Sequence, residues 1–257
     1  MRNQYTVGSL FSGIGGFELG LEMTGRFKTL WQCEVDPYCR SVLQKHWPDA
    51  EMFCDVRTLG NPDVISPVDI IVGGFPCQDL SMARHGNNGK GLKGEKSGLY
   101  VEFIRIIREQ KPRGFIIENV PSLVDRGLFT ILREIAAFGY DAEWHVVSAS
   151  AVGAPHKRNR LFVMGYANGT HCQGSGLSVR VHEKQSNIDC PGDTKPCEAW
   201  AAEPDVSRVV DGIPDWTHRV KALGNAVVPK VSECIGQRMS SILDGTAVDL
   251  RETGWLF

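Results

Sequence analysis

The order of apolar segments in this chain predicts an α/β fold, a doubly wound and mostly parallel sheet carrying a small irregular insert. Three observations support this. Apolar strand-like runs alternate with helical patterns over the first two-thirds of the sequence, the pattern of repeated strand–helix–strand units with helices on both sheet faces. A glycine-rich turn, Gly13-Ile14-Gly15-Gly16, joins the first strand to the first helix. After Tyr166 the composition changes to Gly, Ser, Asp, Asn, Pro and His without a sustained period, as in a loop-built insert.

Taken in order, residues 5–11 read as a strand, followed by the glycine turn and a helix through Leu19, Leu21 and Met23. Residues 29–35 form a second strand, and Pro37 opens a helix containing Cys39, Val42 and Leu43. A short strand-like run precedes Asp55, and residues 68–72 make a central strand. A helix over 99–110 places Leu99, Phe103, Ile106 and Ile107 on one face at the 3.6-residue period. A strand at 114–118, a helix at 128–138 and strands near 143–148 and 161–166 follow. Regularity returns at 220–228, and 229–243 reads as a final helix. The 257 residues thus divide into a body at 1–166, an insert at 167–207 and a segment at 208–257 that returns to the body.

Composition excludes several classes. Hydrophobic content of 42% and charged content of 23% are those of an ordinary globular protein. No stretch approaches 18 apolar residues and no apolar leader is visible, so a cytoplasmic protein without a membrane partner is expected. The eight cysteines have no framework spacing and read as reduced thiols. A net charge of −2 excludes a uniformly basic surface, but nucleic acid needs only a local basic face. Two basic runs qualify: Arg84-His85 with Lys90, Lys93 and Lys96, and His156-Lys157-Arg158-Asn159-Arg160.

Two places carry chemistry. The run from Asp69 to Phe75 stops in Gly73-Gly74 and leads into Pro76-Cys77-Gln78, which puts a thiol at the carboxyl edge of a sheet, where open α/β sheets hold ligands. Cys77 is a candidate nucleophile there; the competing reading is a small buried hydrophobe. The glycine turn is a cradle for a nucleotide-like cofactor, with Glu34 eighteen residues beyond Gly16 to accept from ribose hydroxyls and Asp36 two further on. Glu18 stands where a dinucleotide fingerprint needs its third glycine, which favours an adenosine-bearing cofactor without a pyrophosphate. Asp55 is placed to accept from an adenine amino group.

Set together, these residues resemble the C5-cytosine DNA methyltransferase family of bacterial and phage modification systems. The resemblance rests on Phe11-Ser-Gly-Ile-Gly-Gly16, Glu34, Asp55, Gly74-Phe-Pro-Cys77-Gln78, Gly98-Leu99-Tyr100, Glu118-Asn119-Val120, Arg158-x-Arg160 and Gly224-Asn225-Ala226-Val227, in the family's own order. It implies a Rossmann-like, S-adenosylmethionine-dependent methyltransferase fold that methylates a flipped-out cytosine of double-stranded DNA through a covalent bond from Cys77 to C6. Cys77 would be the nucleophile, Glu118 would donate to N3, Arg160 would hold O2 and Arg158 would support Glu118 and phosphates. Phe11, Gly13, Ile14, Gly15, Gly16, Glu34, Val35, Asp55, Val56, Pro76, Leu99, Asn225 and Val227 would surround S-adenosylmethionine. Gln78, Ser81, Arg84, Lys90, Lys93, Arg180 and Lys184 would face DNA. Two positions depart from the family pattern: His156 stands for its usual glutamine and Ser9 for its frequent aspartate.

The segment between Arg160 and Gly224 is where the family reads bases, and here it is short. His171, Cys172, His182, Cys190 and Cys197 in it match no paired-ligand spacing, so no metal is expected. A monomer acting on DNA, in some systems beside a cognate restriction endonuclease, is the implied setting. The competing reading is a transfer-RNA cytosine-5 methyltransferase using the same machinery.

Overall fold

The computed structural model of the protein describes residues 4–59, 64–76, 98–167 and 216–247. One sheet contains β1 (Tyr5–Leu10), β2 (Phe27–Cys33), β3 (Glu51–Phe53), β4 (Ile70–Gly73), β5 (Gly114–Asn119), β6 (Tyr140–Ser148) and β7 (Asn159–Ala167). Their spatial order is β3-β2-β1-β4-β5-β7-β6. The first five pair in parallel, whereas β7 runs antiparallel to both β5 and β6. The chain winds outward in one direction through β2 and β3 and in the other through β4 and β5, so the topological switch point lies between β1 and β4.

The doubly wound, mostly parallel sheet is therefore present, with a reversal that apolar patterning does not encode. Ten residues, 149–158, join β6 to β7 and include a 3-10 turn at Ala149–Val152. A parallel return needs a crossover of a dozen or more residues. The short link makes an antiparallel pair.

The helices are α1 (Gly16–Met23), α2 (Pro37–His46), α3 (Gly98–Gln110), α4 (Leu123–Arg126), α5 (Leu128–Ala137), α6 (Trp216–Asn225) and α7 (Pro229–Leu243). Asp36 caps α2 by accepting from Tyr38 N at 2.9 Å, with Pro37 in the first turn where its missing N–H leaves nothing unpaired. Strand alternation splits the core into two layers. Ile70, Val72, Ile116, Phe162 and Met164 pack with Phe17 and Leu21 of α1 and Ile235 and Met239 of α7. Ile71, Phe115, Ile117, Leu161 and Val163 pack on the other face with Phe103 and Ile107 of α3 and Ile131 and Ile135 of α5. Burial on both faces is why these strands read as unbroken apolar runs.

The C-terminal helix completes the sheet's α1 face. A Cβ on Gly20 would meet Pro229 O at 2.1 Å, so α1 and α7 approach backbone to backbone. Ser232 Oγ donates to Gly16 O at 3.1 Å, and Asp244 accepts from Tyr5 Oη at 2.6 Å and from Arg26 Nη2 at 2.7 Å.

Three expectations need adjustment. Phe11 lies outside β1, in a left-handed turn with φ of 55°. β2 ends at Cys33, so Glu34 and Val35 stand beyond the strand. Cys234 is disulfide-bonded, whereas Cys33, Cys39 and Cys54 are free. The expectation of eight reduced thiols is thus corrected, because spacing alone carries no pairing information. Most of the insert, 168–207, lies outside the described residues.

Candidate active site

The carboxyl ends of β1, β2, β4 and β5 all reach one edge because these strands are parallel. Antiparallel β7 begins at that same edge. Leu161 pairs with Asn119 and Phe162 with Glu118, which places Arg160 just beyond the end of β5. Residues far apart in sequence are thereby gathered at the switch point, where a ligand cleft is expected.

Glu118 is the centre of one cluster. It is 9% exposed, and Arg160 Nε meets its Oε1 at 2.9 Å. Burial pushes its carboxyl above the ordinary range, opposed by the positive charges of Arg160 and Arg158. Room for this carboxyl exists because residue 74 is glycine: a Cβ there would lie 2.5 Å from Glu118 Oε2. Arg158 donates through Nη2 to Ala226 O at 2.9 Å. A cavity of about 380 Å³ opens beside it, lined by His156, Leu223 and residues 226–229.

Asn119, which sequence reasoning passed over as a site residue, fixes the neighbouring turn. Its Nδ2 donates to Phe75 O at 3.1 Å and its Oδ1 accepts from Val120 N at 2.9 Å. Phe75 is further held by edge contacts with Tyr100 and Phe103 at 5.5 and 6.3 Å between ring centres. The backbone is thus pinned one residue before Pro76, which is exposed. Cys77, Gln78, Ser81, Arg84, Lys90, Lys93, Arg180 and Lys184 lie outside the described residues.

The glycine turn forms a second cluster. Gly13 and Gly15 have φ of 57° and 85°, which favour glycine, and a Cβ on Gly13 would meet only open space. Glu34 Oε2 accepts from Gly13 N and its Oε1 from Asp36 N, both at 2.8 Å. That carboxylate is therefore fixed beside the turn, with lone pairs left for hydroxyl donors. Val35 next to it is 74% exposed, an uncovered apolar surface at the mouth of the cleft. Phe11 holds a strained backbone at the end of β1, of the kind that clusters at ligand sites. Val227 closes the turn from behind, its carbonyl 2.3 Å from where a Gly16 Cβ would stand. Open space over Gly13, an oriented carboxylate and an exposed apolar side chain together fit an adenosyl ligand.

The remaining expected cofactor residues vary in availability. Asp55 caps the 3-10 turn Val56–Thr58 and is gripped by Arg57, whose side-chain hydrogen bonds at 2.9 Å hold it below the usual carboxylate range. Val56 is buried in the core, and its carbonyl accepts from Arg105 Nη2 at 3.2 Å. Leu99 is half-buried in the first turn of α3, and Asn225 ends α6. Ile14 is half-buried on the turn itself.

Beneath the turn lies a buried polar group that periodicity did not reveal. Ser9, Glu18 and Gln32 are fully buried and Ser12 nearly so. Gln32 Nε2 donates to Glu18 Oε1 at 3.1 Å and Ser12 Oγ to Ser9 Oγ at 2.9 Å. Burial raises the Glu18 carboxyl, against the hydroxyls of Ser9 and Ser12 and the Gln32 amide. The residue that breaks a dinucleotide fingerprint is thus an interior group of α1. No group of metal-ligating side chains occurs among the described residues, nor any helix long and apolar enough to cross a membrane.

The Type II methyltransferase M.Bsp6I of Bacillus sp. (strain RFL6) is 35% identical over 171 residues, covering 64% of this chain and 53% of that protein. M.Sau3AI of Staphylococcus aureus is 34% identical over 182 residues, covering 64% and 44%. The chain spans about half the length of the curated relatives it matches. A solved structure of a putative DNA modification methyltransferase encoded within an E. coli prophage superimposes with a TM-score of 0.53 at 29% identity, over 64% of this chain and 47% of that one. The Dnmt2 methyltransferase of S. pombe shares the fold with a TM-score of 0.56 at 18% identity, over 67% and 53%. A family model for the C-5 cytosine-specific DNA methylases matches residues 5–199, more than half of the chain, and the protein belongs to that family.

Proposed function

We propose that the protein is a DNA (cytosine-5-)-methyltransferase that modifies a cytosine swung out of double-stranded DNA. The observation that carries this reading is the buried Glu118 carboxyl, met by Arg160 at 2.9 Å beside the turn that leads into Pro76-Cys77. The names of its relatives, Type II methyltransferases, support it.

S-adenosylmethionine, when bound, supplies an electrophilic methyl group on a sulfonium. Phe11, Gly13, Glu34, Val35, Asn225 and Val227 would hold it, with Glu34 turned to the ribose. Cytosine C5 is a poor nucleophile, and Cys77 remedies this by adding its thiolate to C6. Glu118 donates a proton to N3 as electrons move into the ring, and its buried setting favours the protonated form that does so. Arg160 holds O2. Once C5 carries the methyl group, its proton leaves to a base, the C6–S bond breaks, and the Cys77 thiolate returns as 5-methylcytosine departs.

Unstacking the base costs about a few kcal/mol, recovered in the pocket and along the backbone. Gln78, Ser81, Arg84, Lys90 and Lys93 after the nucleophile, and Arg180 and Lys184 in the 167–207 segment, are assigned to DNA. That segment is assigned to base reading. The protein acts as a monomer in the cytoplasm, in a modification system of the kind that in some cases includes a cognate restriction endonuclease. The test supplies S-adenosylmethionine with unmethylated genomic DNA and, separately, unmodified transfer RNA, then maps cytosines at base resolution. Methylation at one short DNA motif, abolished by Cys77→Ala, is the expected result; methylation confined to RNA, or none, overturns the reading.

A further inference from the structure

The helix α6 bridges the two halves of the cleft. Its end lies at the catalytic arginines, where Arg158 Nη2 donates to Ala226 O at 2.9 Å, and the chain then passes behind Gly16 at Val227. One and two turns earlier it touches the opposite wall. Lys221 Nζ stands 3.6 Å from Asp36 Oδ2, and the His218 ring lies 5.9 Å from the Tyr38 ring at an interplanar angle of 33°. His218, Lys221, Ala222 and Asn225 follow the i, i+3, i+4, i+7 spacing of one helix face, and Ala222 is 7% exposed. A single stripe of α6 therefore spans from the cofactor turn to the Arg158 strand end.

Its two contacts fall on the turn that sets Glu34. Asp36 N donates to Glu34 Oε1, the Asp36 carboxylate caps α2 at Tyr38 N, and Arg40 Nη1 donates to the carbonyls of Glu34 and Val35. Displacing Asp36 or Tyr38 moves the Glu34 carboxylate, and neither residue is hydrogen-bonded to Glu118 among the described contacts. We propose that His218 and Lys221 are positioning residues for the adenosyl end of the cofactor, acting through Asp36 and Tyr38 on Glu34. The inference rests on the assignment of this cleft to S-adenosylmethionine. The helix that follows residue 215 then couples the cofactor edge to the position of its own segment of chain.

The effect is modest in size, because Lys221 is 67% exposed and exposed pairs are weak. Calorimetric titration of S-adenosylhomocysteine, which binds without reacting, reads it directly. Lys221→Ala is expected to raise Kd by about fivefold, and the double change with His218→Ala by more than either alone. Lys221→Arg restores affinity, kcat at saturating cofactor stays within about twofold of the parent, and the melting temperature is unchanged within the small range of surface substitutions. Equal affinity across all variants overturns the proposal, as does a fall in kcat at saturation with Kd unmoved. A parent protein that binds neither S-adenosylhomocysteine nor S-adenosylmethionine overturns the cofactor assignment itself.

Discussion

The side-chain amide of Asn119, the last residue of β5, donates to the carbonyl of Phe75 at 3.1 Å and thereby ties the end of one strand to the turn that follows another. The two residues are 44 positions apart in sequence, and the bond is buried. Replacing Asn119 with Ala leaves the buried Phe75 carbonyl unpaired, a loss of about 1–3 kcal/mol. Since the bond lies just before Pro76, methyl transfer is expected to fall by at least about tenfold while cofactor affinity stays near the parent value. Separate measurement of kcat and of S-adenosylhomocysteine binding checks this; a loss confined to cofactor affinity would refute it.

Glu118 makes a prediction in both rate and stability. Glu118→Gln keeps an acceptor for Arg160 but cannot deliver a proton, so turnover should drop about 10²–10⁴-fold with DNA still bound. The parent enzyme's chemical step should decline as pH rises past the elevated Glu118 value. For folding, a carboxyl raised by burial contributes stability that is complete at low pH and lost as pH rises from the ordinary carboxylate range through the raised value. The Gln variant should therefore melt higher than the parent at pH 8, with the gap closing toward pH 4. A variant that melts lower at both would sink the assignment of burial as the dominant cause.

Glu143 behaves in the opposite sense. It lies on β6, nearly buried, with Arg238 of α7 donating to both oxygens at 2.8 and 2.9 Å and His145 3.7 Å away. Burial would raise its carboxyl, but Arg238 and His145 outweigh that and lower it to about 2. The stability it contributes is present above the ordinary glutamate value and is lost as pH falls from there toward 2. Glu143→Gln should destabilise the fold by about 2–4 kcal/mol at pH 7 and by progressively less in acid. Urea midpoints of both proteins at pH 7 and pH 3 decide it, and a constant difference would show that the pair does not titrate as described.

Gly16→Ala tests the contact between the glycine turn and the returning chain. The new methyl would sit 2.3 Å from the Val227 carbonyl, a backbone atom that cannot rotate away. Overpacking of this kind costs about 1–3 kcal/mol, and the displaced turn should raise the KM for S-adenosylmethionine. An unchanged KM would mean that Val227 does not set the turn.

Much of the candidate site was legible in the sequence because its residues fall at strand ends that local patterning can find. Gly13 to Gly16 follow β1, Glu34 follows β2, and Glu118 is the penultimate residue of β5, each near the boundary where an apolar run stops. The order Pro-Cys-Gln, Glu-Asn-Val, Arg-x-Arg then named the chemistry. Asn119 was in plain view within one of these motifs, but nothing local says that its amide reaches Phe75. Glu18 pointed away from a dinucleotide, but its interior position was not legible, since that depends on Ser9, Ser12 and Gln32 arriving from other elements.

The sequence by itself determined the sheet, its two apolar faces, the glycine turn and the candidates for the reactive groups, because all of these follow from the spacing of neighbouring residues. Only the tertiary structure decided which groups meet. The ten-residue link after β6 forces β7 to run antiparallel, and that reversal carries Arg160 to Glu118. The close approach at Gly16 and Gly20 seats the C-terminal helix behind the cofactor turn, and α6 joins Asp36 to the Arg158 edge. Each of these contacts depends on strand direction or on backbone approach between distant segments, and neither quantity is carried by local periodicity.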